Sequence, residues 1–258
     1  MGETEKTQLW ATGRIGGIIA PAVIVILAFL AYLPALDNFF TWDDFLWLYR
    51  AKTLASNPAQ MFSIDVLYFD PLVYLTFWLN YQLNLLNPFW YHLFDLCVHA
   101  ASGVLIYHLV LRHARDRFAA LASGVLFVCA FAVVDAVVWS SSRVDLLAVF
   151  FSLSALLAFQ LHLDDTSRPA LAFSVLAYLL ALGAKGTPIV IPCILVLMIY
   201  LARQPRRRYA ILIPYAAITV IYVSLLFWKM VPAGKDGAIR LNLHNLVLAL
   251  SGLFVPER

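Results

Sequence analysis

Two adjacent carboxylates, Asp43 and Asp44, close the stretch Asn38-Phe39-Phe40-Thr41-Trp42-Asp43-Asp44, just past the first long apolar run. A carboxylate is costly in hydrocarbon, so one held among aromatics where a membrane meets water is a functional-site candidate by default. The order of the later loops returns two cations to the same side: Arg143, in Ser140-Ser141-Ser142-Arg143-Val144-Asp145, and Lys185, in Lys185-Gly186-Thr187-Pro188. Acids, an arginine and a lysine on one membrane face suit transfer of a sugar from a lipid phosphate. That reaction needs a base for the acceptor hydroxyl and cations for the departing phosphate, which leaves without the second, protonating carboxyl that a glycosidase requires. Arginine offers a bidentate fork and lysine a point charge. Simpler roles stand beside these. The acids suit the positive amino end of an interfacial helix, Arg143 and Asp145 suit a local pair across a turn, and Lys185 suits a stem reaching from a helix end to the headgroups.

The elements that must position these residues are membrane helices. Of 258 residues 63% are hydrophobic and only 13% charged, and the mean hydropathy of +0.83 lies far outside the range of soluble domains. The fold class expected is all-α, a polytopic membrane helix bundle. A net charge of +3 is too small to suggest nucleic acid, and most basic residues fall in short loops, where they report orientation. Cys97, Cys129 and Cys193 lie in apolar segments without paired spacing, so they read as packing residues rather than a disulfide framework or metal knuckle.

In chain order, a polar tail at 1–14 leads into an apolar run at 15–36, long enough to cross a bilayer and too long for a signal-peptide core. The first loop, 37–71, interleaves Trp42, Trp47, Tyr49, Tyr68 and Phe69 with Asp43, Asp44, Arg50, Lys52, Asp65 and Asp70, a mixture suited to helices lying at headgroup level. Asp70-Pro71 restarts a helix to residue 86 that either spans or is half-buried, and the sidedness of the loops requires that it lie flat or re-enter. Further spans are expected at 90–111, 119–138, 146–163, 170–183, 189–201 and 211–230, about seven in all over 15–230. Residues 231–258, with Lys235, Asp236, Arg240 and His244, form an expected outer loop that stops short of further spans.

The strongest basic clusters, Arg112-His113-Ala114-Arg115-Asp116-Arg117 and Arg203-Gln204-Pro205-Arg206-Arg207-Arg208, fall on one side of this arrangement, together with the 164–169 loop and the amino terminus. The positive-inside rule makes that side cytoplasmic. It puts Asp43, Asp44, the 140–145 turn and Lys185 outside. His92, Asp95 and His99 share a helix face at i, i+3 and i+7. They suit inter-helix hydrogen bonds better than a metal site, although a divalent metal stays open. A transporter is a rival class, but it should carry internal repeats and broken mid-membrane helices. No convincing repeat is present.

The same blocks carry a resemblance. Asn38-Phe39-Phe40-Thr41-Trp42-Asp43-Asp44, Asp70-Pro71-Leu72, Leu86-Asn87-Pro88-Phe89-Trp90-Tyr91-His92-Leu93, Trp139 with Arg143-Val144-Asp145-Leu146-Leu147, and Ala184-Lys185 occur in the order seen in the GT-C superfamily. The chain most resembles its polyprenyl-phosphate-sugar-dependent transferases, those akin to protein O-mannosyltransferases and the membrane part of their tetratricopeptide-bearing relatives, over about 39–198. The resemblance implies an inverting glycosyltransferase of a multi-pass membrane, a bacterial inner membrane or its equivalent, acting on the extracytoplasmic face. It implies a polyprenyl-phosphate sugar as donor, a protein or glycan hydroxyl as acceptor, Asp43 as base with Asp44 beside it, and Asp135, Arg143, Asp145 and Lys185 at the lipid phosphate. The chain also departs from that pattern. A histidine-proline-x-histidine run before Asp135 is replaced by Ala130-Phe131-Ala132-Val133-Val134, Asp70 stands where relatives carry arginine, and Gly186 where they carry glutamate. A catalytically degenerate relative that binds lipid or a partner therefore remains the alternative.

Overall fold

A computed structural model describes residues 3–62 and 69–230, with side chains over 17–62 and 69–227. Asp65 and Tyr68 of the first loop, and the outer loop at 231–258 with Lys235, Asp236, Arg240 and His244, lie outside the described residues. Among the described residues the regular structure is entirely helical. The α-helices are α1 (Glu3–Tyr32), α2 (Asp44–Thr53), α3 (Pro71–Asn84), α4 (Pro88–Ala114), α5 (Arg117–Cys129), α6 (Val134–Val138), α7 (Arg143–Asp165), α8 (Arg168–Leu182), α9 (Ile191–Leu201) and α10 (Ile213–Met230). The chain is an all-α membrane bundle. Within the described residues four helical segments are long and apolar enough to cross a bilayer: Gly17–Asp37, Pro88–Ala114, Ser140–Asp165 and Arg206–Phe227. The pair Arg117–Cys129 and Phe131–Val138, bent by 50°, makes a fifth if it counts as one broken span. The expected spans at 170–183 and 189–201 are the shorter apolar helices Arg168–Leu182 and Thr187–Leu201. Helix α1 begins at Glu3, so the expected tail at 1–14 is helical from that residue on.

Local chemistry explains the breaks. Pro88 opens α4, and Asn87 caps it by accepting a hydrogen bond from the Phe89 amide at 3.2 Å. Asp116 and Ser167 cap α5 and α8 in the same way. At the other ends of α4 and α7, Arg115 and Thr166 turn the chain in the left-handed region, at φ 56° and 53°. Beside these turns Arg112 of α4 pairs with Asp164 of α7 at 2.8 Å. The end of α9 meets the end of α4 there as well, where Leu201 and Ala202 share a cavity with His113 and Ala114. The basic clusters thus gather at one end of the bundle.

Packing between α1, α4 and α5 depends on two glycines. A Cβ on Gly103 would collide with Val128 and Ile24, and one on Gly124 would sit 2.5 Å from Ile24 Cδ1 and 3.0 Å from the Gly103 carbonyl. Small residues that let backbones approach are the usual means of joining helices where lipid removes the hydrophobic drive. Outward residues such as Ile26, Leu30, Leu126, Leu197 and Ile221 are exposed and apolar, as lipid contact requires. Cys97, Cys129 and Cys193 are also exposed on the bundle. They are therefore surface residues rather than the packing residues expected, since a thiol is apolar enough to face lipid.

The helix after Asp70 is settled by its ends. The Leu72 amide of α3 bonds the Gly183 carbonyl at the end of α8, while the Leu85 carbonyl just past α3 accepts from the Tyr91 hydroxyl near the start of α4. Both ends lie at the end of the bundle opposite the basic clusters. Fourteen residues also reach only about 21 Å, short of a roughly 30 Å hydrocarbon core. α3 thus lies across the bundle, roofing α4 and α7.

Candidate functional site

At that end the chain turns sharply before α2. The Asp44 amide bonds the Thr41 carbonyl, and the Thr41 amide returns a bond to Asp44 Oδ2, both at 2.9 Å. Between them Trp42 adopts φ 46° with an exposed ring. A bulky residue in the left-handed region costs about 1–2 kcal/mol, so the turn is held in place by its surroundings. The two carboxylates consequently part company. Asp44 is 1% exposed; its Oδ1 accepts from the amide and the hydroxyl of Ser141, at 2.7 and 2.5 Å. Asp43 stands at the helix start, exposed and without a side-chain capping bond. The capping bond weighed for the pair is made by neither, since the bonds of Asp44 go to Thr41 and Ser141 rather than to the amides of α2.

Asp43 faces a cleft of about 400 Å³. Its walls come from four separate segments: Asp43 with Trp47 and Arg50 at and within α2, Asp70 with Tyr74 at and within α3, Trp139, Ser141, Ser142 and Asp145 where α6 gives way to α7, and Lys185 between α8 and α9. Lys185 Nζ donates to Asp145 Oδ1 at 2.6 Å, with both groups partly exposed. The ammonium keeps further donors for a ligand while its position is fixed. The guanidinium of Arg50 lies 5.2 Å from the ring centres of both Trp47 and Tyr74, which steer it along the cleft wall.

Two residues expected at the phosphate do not line this cleft. Arg143 is fully buried. Its Nε donates to Asp95 Oδ1 at 2.6 Å, Nη2 to Asp95 Oδ2 at 3.3 Å and to the Tyr91 carbonyl at 3.2 Å, and Nη1 to Asn80 Oδ1 at 2.8 Å. The rings of Phe77 and Phe94 flank it at 4.3 and 4.6 Å. The physical reason is helix phase: positions two apart on α7 point about 200° apart, so Arg143 and Asp145 cannot both face the cleft. Asp135 is exposed on the short α6 and does not line the cleft. The bend after Cys129 carries it aside.

The polar face of α4 serves inter-helix contacts. Besides the Asp95 pair, His92 Nδ1 lies 3.4 Å from the Ser140 hydroxyl and His99 Nε2 3.3 Å from the Val128 carbonyl. Among the described residues no three histidine, cysteine or acidic side chains converge in a way that would hold a metal ion. Where Gly186 departs from the pattern of relatives, a Cβ would lie 3.0 Å from the Tyr222 hydroxyl. The phenol fills the space a side chain would need.

Arg50 and Ser141 line the cleft although sequence reasoning gave neither a role, and Trp139, which also lines it, entered only with the resemblance. A signal existed for Arg50, since it follows Asp43 by seven residues and so shares its face of α2.

No family model matches the chain. It is similar to the protein O-mannosyl-transferase F38B6.6 of Caenorhabditis elegans, at 26% identity over 264 positions covering 94% of this chain and 36% of that protein. It is also similar to the protein O-mannosyl-transferase Tmtc1 of Drosophila melanogaster, at 28% identity over 176 positions covering 63% of this chain and 20% of that protein. The chain thus spans about a third and a fifth of the length of these relatives. Their similarity supports a relation to glycosyltransferases and, with the long apolar helices, a multi-pass membrane protein.

Proposed function

We propose that this chain forms the transfer site of a GT-C-type glycosyltransferase that moves a sugar from a polyprenyl-phosphate donor to an acceptor hydroxyl, of a protein serine or threonine or of a glycan, on the extracytoplasmic face. The observation that carries this is the cleft that joins an exposed carboxylate, Asp43, to two fixed cations, Lys185 and Arg50. The acceptor oxygen attacks the anomeric carbon from the side opposite the phosphate, and that carbon inverts. The bond from carbon to phosphate oxygen breaks with its electron pair going to the phosphate, while the hydroxyl proton passes to Asp43. Lys185 and Arg50 stabilise the charge that gathers on the departing phosphate. Asp145 orients Lys185. Burial of Asp44 under Ser141 leaves Asp43 as the member of the adjacent pair able to reach a substrate. The basic loops at the other end of the bundle support the extracytoplasmic face.

The test is turnover of a radiolabelled polyprenyl-phosphate mannose by the purified full-length protein in liposomes, with hydroxyl-bearing peptides and glycans as acceptors. Labelled product that is lost on Asp43→Asn is the expected result. Tight donor binding with no transfer to any acceptor would refute it and leave the catalytically degenerate reading.

A further inference from the structure

We infer that Arg143 is a positioning residue, one that sets the spacing between Asp43 and Lys185 in the cleft from beneath it. The inference rests on the proposed transfer reaction for its kinetic consequences, though not for its geometry. Arg143 sits at the centre of a five-residue stretch whose two ends hold opposite walls. Two residues before it, Ser141 clasps Asp44 with its amide and hydroxyl and so fixes the turn that presents Asp43. Two residues after it, Asp145 holds Lys185. Ser141, Ser142, Val144 and Asp145 all line the cleft, and Arg143 alone among them points inward.

What it meets there fixes it in every direction. Asp95 takes the fork side-on, Asn80 and the Tyr91 carbonyl take further donors, and Phe77 and Phe94 close over the guanidinium. These partners belong to α3 and α4, so the first turn of α7 is pinned to both at once. Because Arg143 is 0% exposed, it cannot touch a donor bound in the cleft. Removing one partner of such a pair leaves an unpaired buried charge, whereas replacing both with apolar residues of similar volume is often tolerated. That asymmetry separates holding the fold from holding the geometry.

The experiment compares the full-length wild type with Arg143→Met/Asp95→Leu, in which both charges are removed together. Thermal midpoint, donor kinetics and amide exchange over 139–145 are read on the same preparations. The expected result is a retained midpoint, exchange over 139–145 faster by about tenfold, kcat lower by about a hundredfold, as for misplacement by roughly 1 Å, and KM for polyprenyl-phosphate mannose within about threefold. Arg143→Lys keeps the charge beside Asp95 but not the fork, and covers the case in which the double variant does not fold. Its kcat should fall by about tenfold at unchanged KM, with intermediate exchange. Unchanged exchange with wild-type kcat would overturn the inference, leaving the pair as packing. A large rise in KM at unchanged kcat would also overturn it, since a donor ligand behaves that way. Exchange is readable without turnover. A wild type that transfers no sugar would sink the proposed reaction, while faster exchange in the variants would still support the brace.

Discussion

Exchanging Asp43 and Asp44 for asparagine, one at a time, separates catalysis from positioning. Asp43 is exposed and makes no side-chain bond to the helix end, so the isosteric amide should change stability by no more than about 0.5 kcal/mol. Its basicity is gone, and loss of a positioned base costs about a hundred- to ten-thousand-fold in rate. Asp44 works out differently. Its Oδ1 accepts twice from Ser141 and its Oδ2 once from the Thr41 amide, all at 1% exposure. Asparagine has one acceptor oxygen. If that oxygen stays with Ser141, the amide nitrogen faces the Thr41 N–H, donor against donor, and a part-buried N–H is left unpaired at a cost of about 1 kcal/mol or more. The expected pattern is a collapse of kcat with an unchanged thermal midpoint for Asp43→Asn, and a lowered midpoint with a smaller loss of kcat for Asp44→Asn. Turnover of labelled polyprenyl-phosphate mannose and a thermal unfolding scan on the same purified samples read both. Near wild-type rates with Asp43→Asn refute the reasoning, and abolished turnover at full stability with Asp44→Asn moves the role to the neighbour.

Lys185→Ala and Arg50→Ala should each raise the KM for the donor by about tenfold or more, the scale of a charged hydrogen bond, while Arg206→Ala at the far end leaves it unchanged; equal effects would mean bulk electrostatics. A cysteine replacing the exposed Trp42, in a background without Cys97, Cys129 and Cys193, should react with an impermeant maleimide from outside intact cells, and one replacing Gln204 should not. Gly124→Leu should abolish the folded yield in detergent, because its side chain would enter the space of Ile24 and the Gly103 backbone, and a normal yield would show that α1 packs elsewhere.

The spans and the gathering of the loops were legible because apolar runs and breaks mark them directly. Pro88, Asp116 and Ser167 sit where α4, α5 and α8 begin, and the acidic turn, the 140–145 turn and Lys185 all reach the cleft. What was not legible is the direction of side chains within the turns. The run Ser140-Ser141-Ser142-Arg143-Val144-Asp145 has no periodicity of its own, so a basic residue next to a polar turn reads as solvent-facing. Two physical signals pointed the other way. Arg143 and Asp145 sit two apart on a helix and so face opposite ways, and Asp95, deep in an apolar helix between His92 and His99, requires a cation. Arg143 is the partner that the fold supplies. The runs at 170–183 and 189–201 match Arg168–Leu182 and Thr187–Leu201 to within two residues, and only their standing as full spans is not met, since both are short apolar helices.

The two buried acids, Asp44 and Asp95, share one logic. A fully buried ion pair contributes little net stability compared with apolar residues of the same volume, so the Arg143–Asp95 pair is a poor device for holding a bundle together. It is a good device for fixing direction, because a planar fork gripped on one edge by a carboxylate and covered by Phe77 and Phe94 has few alternative poses. Asp44 does the same for the opposite wall with three donors from two segments. On this view the adjacent aspartates are a presenting pair. One is sunk so that the other can stand in the cleft that Lys185 also lines, a cleft built of turns and the first turns of helices.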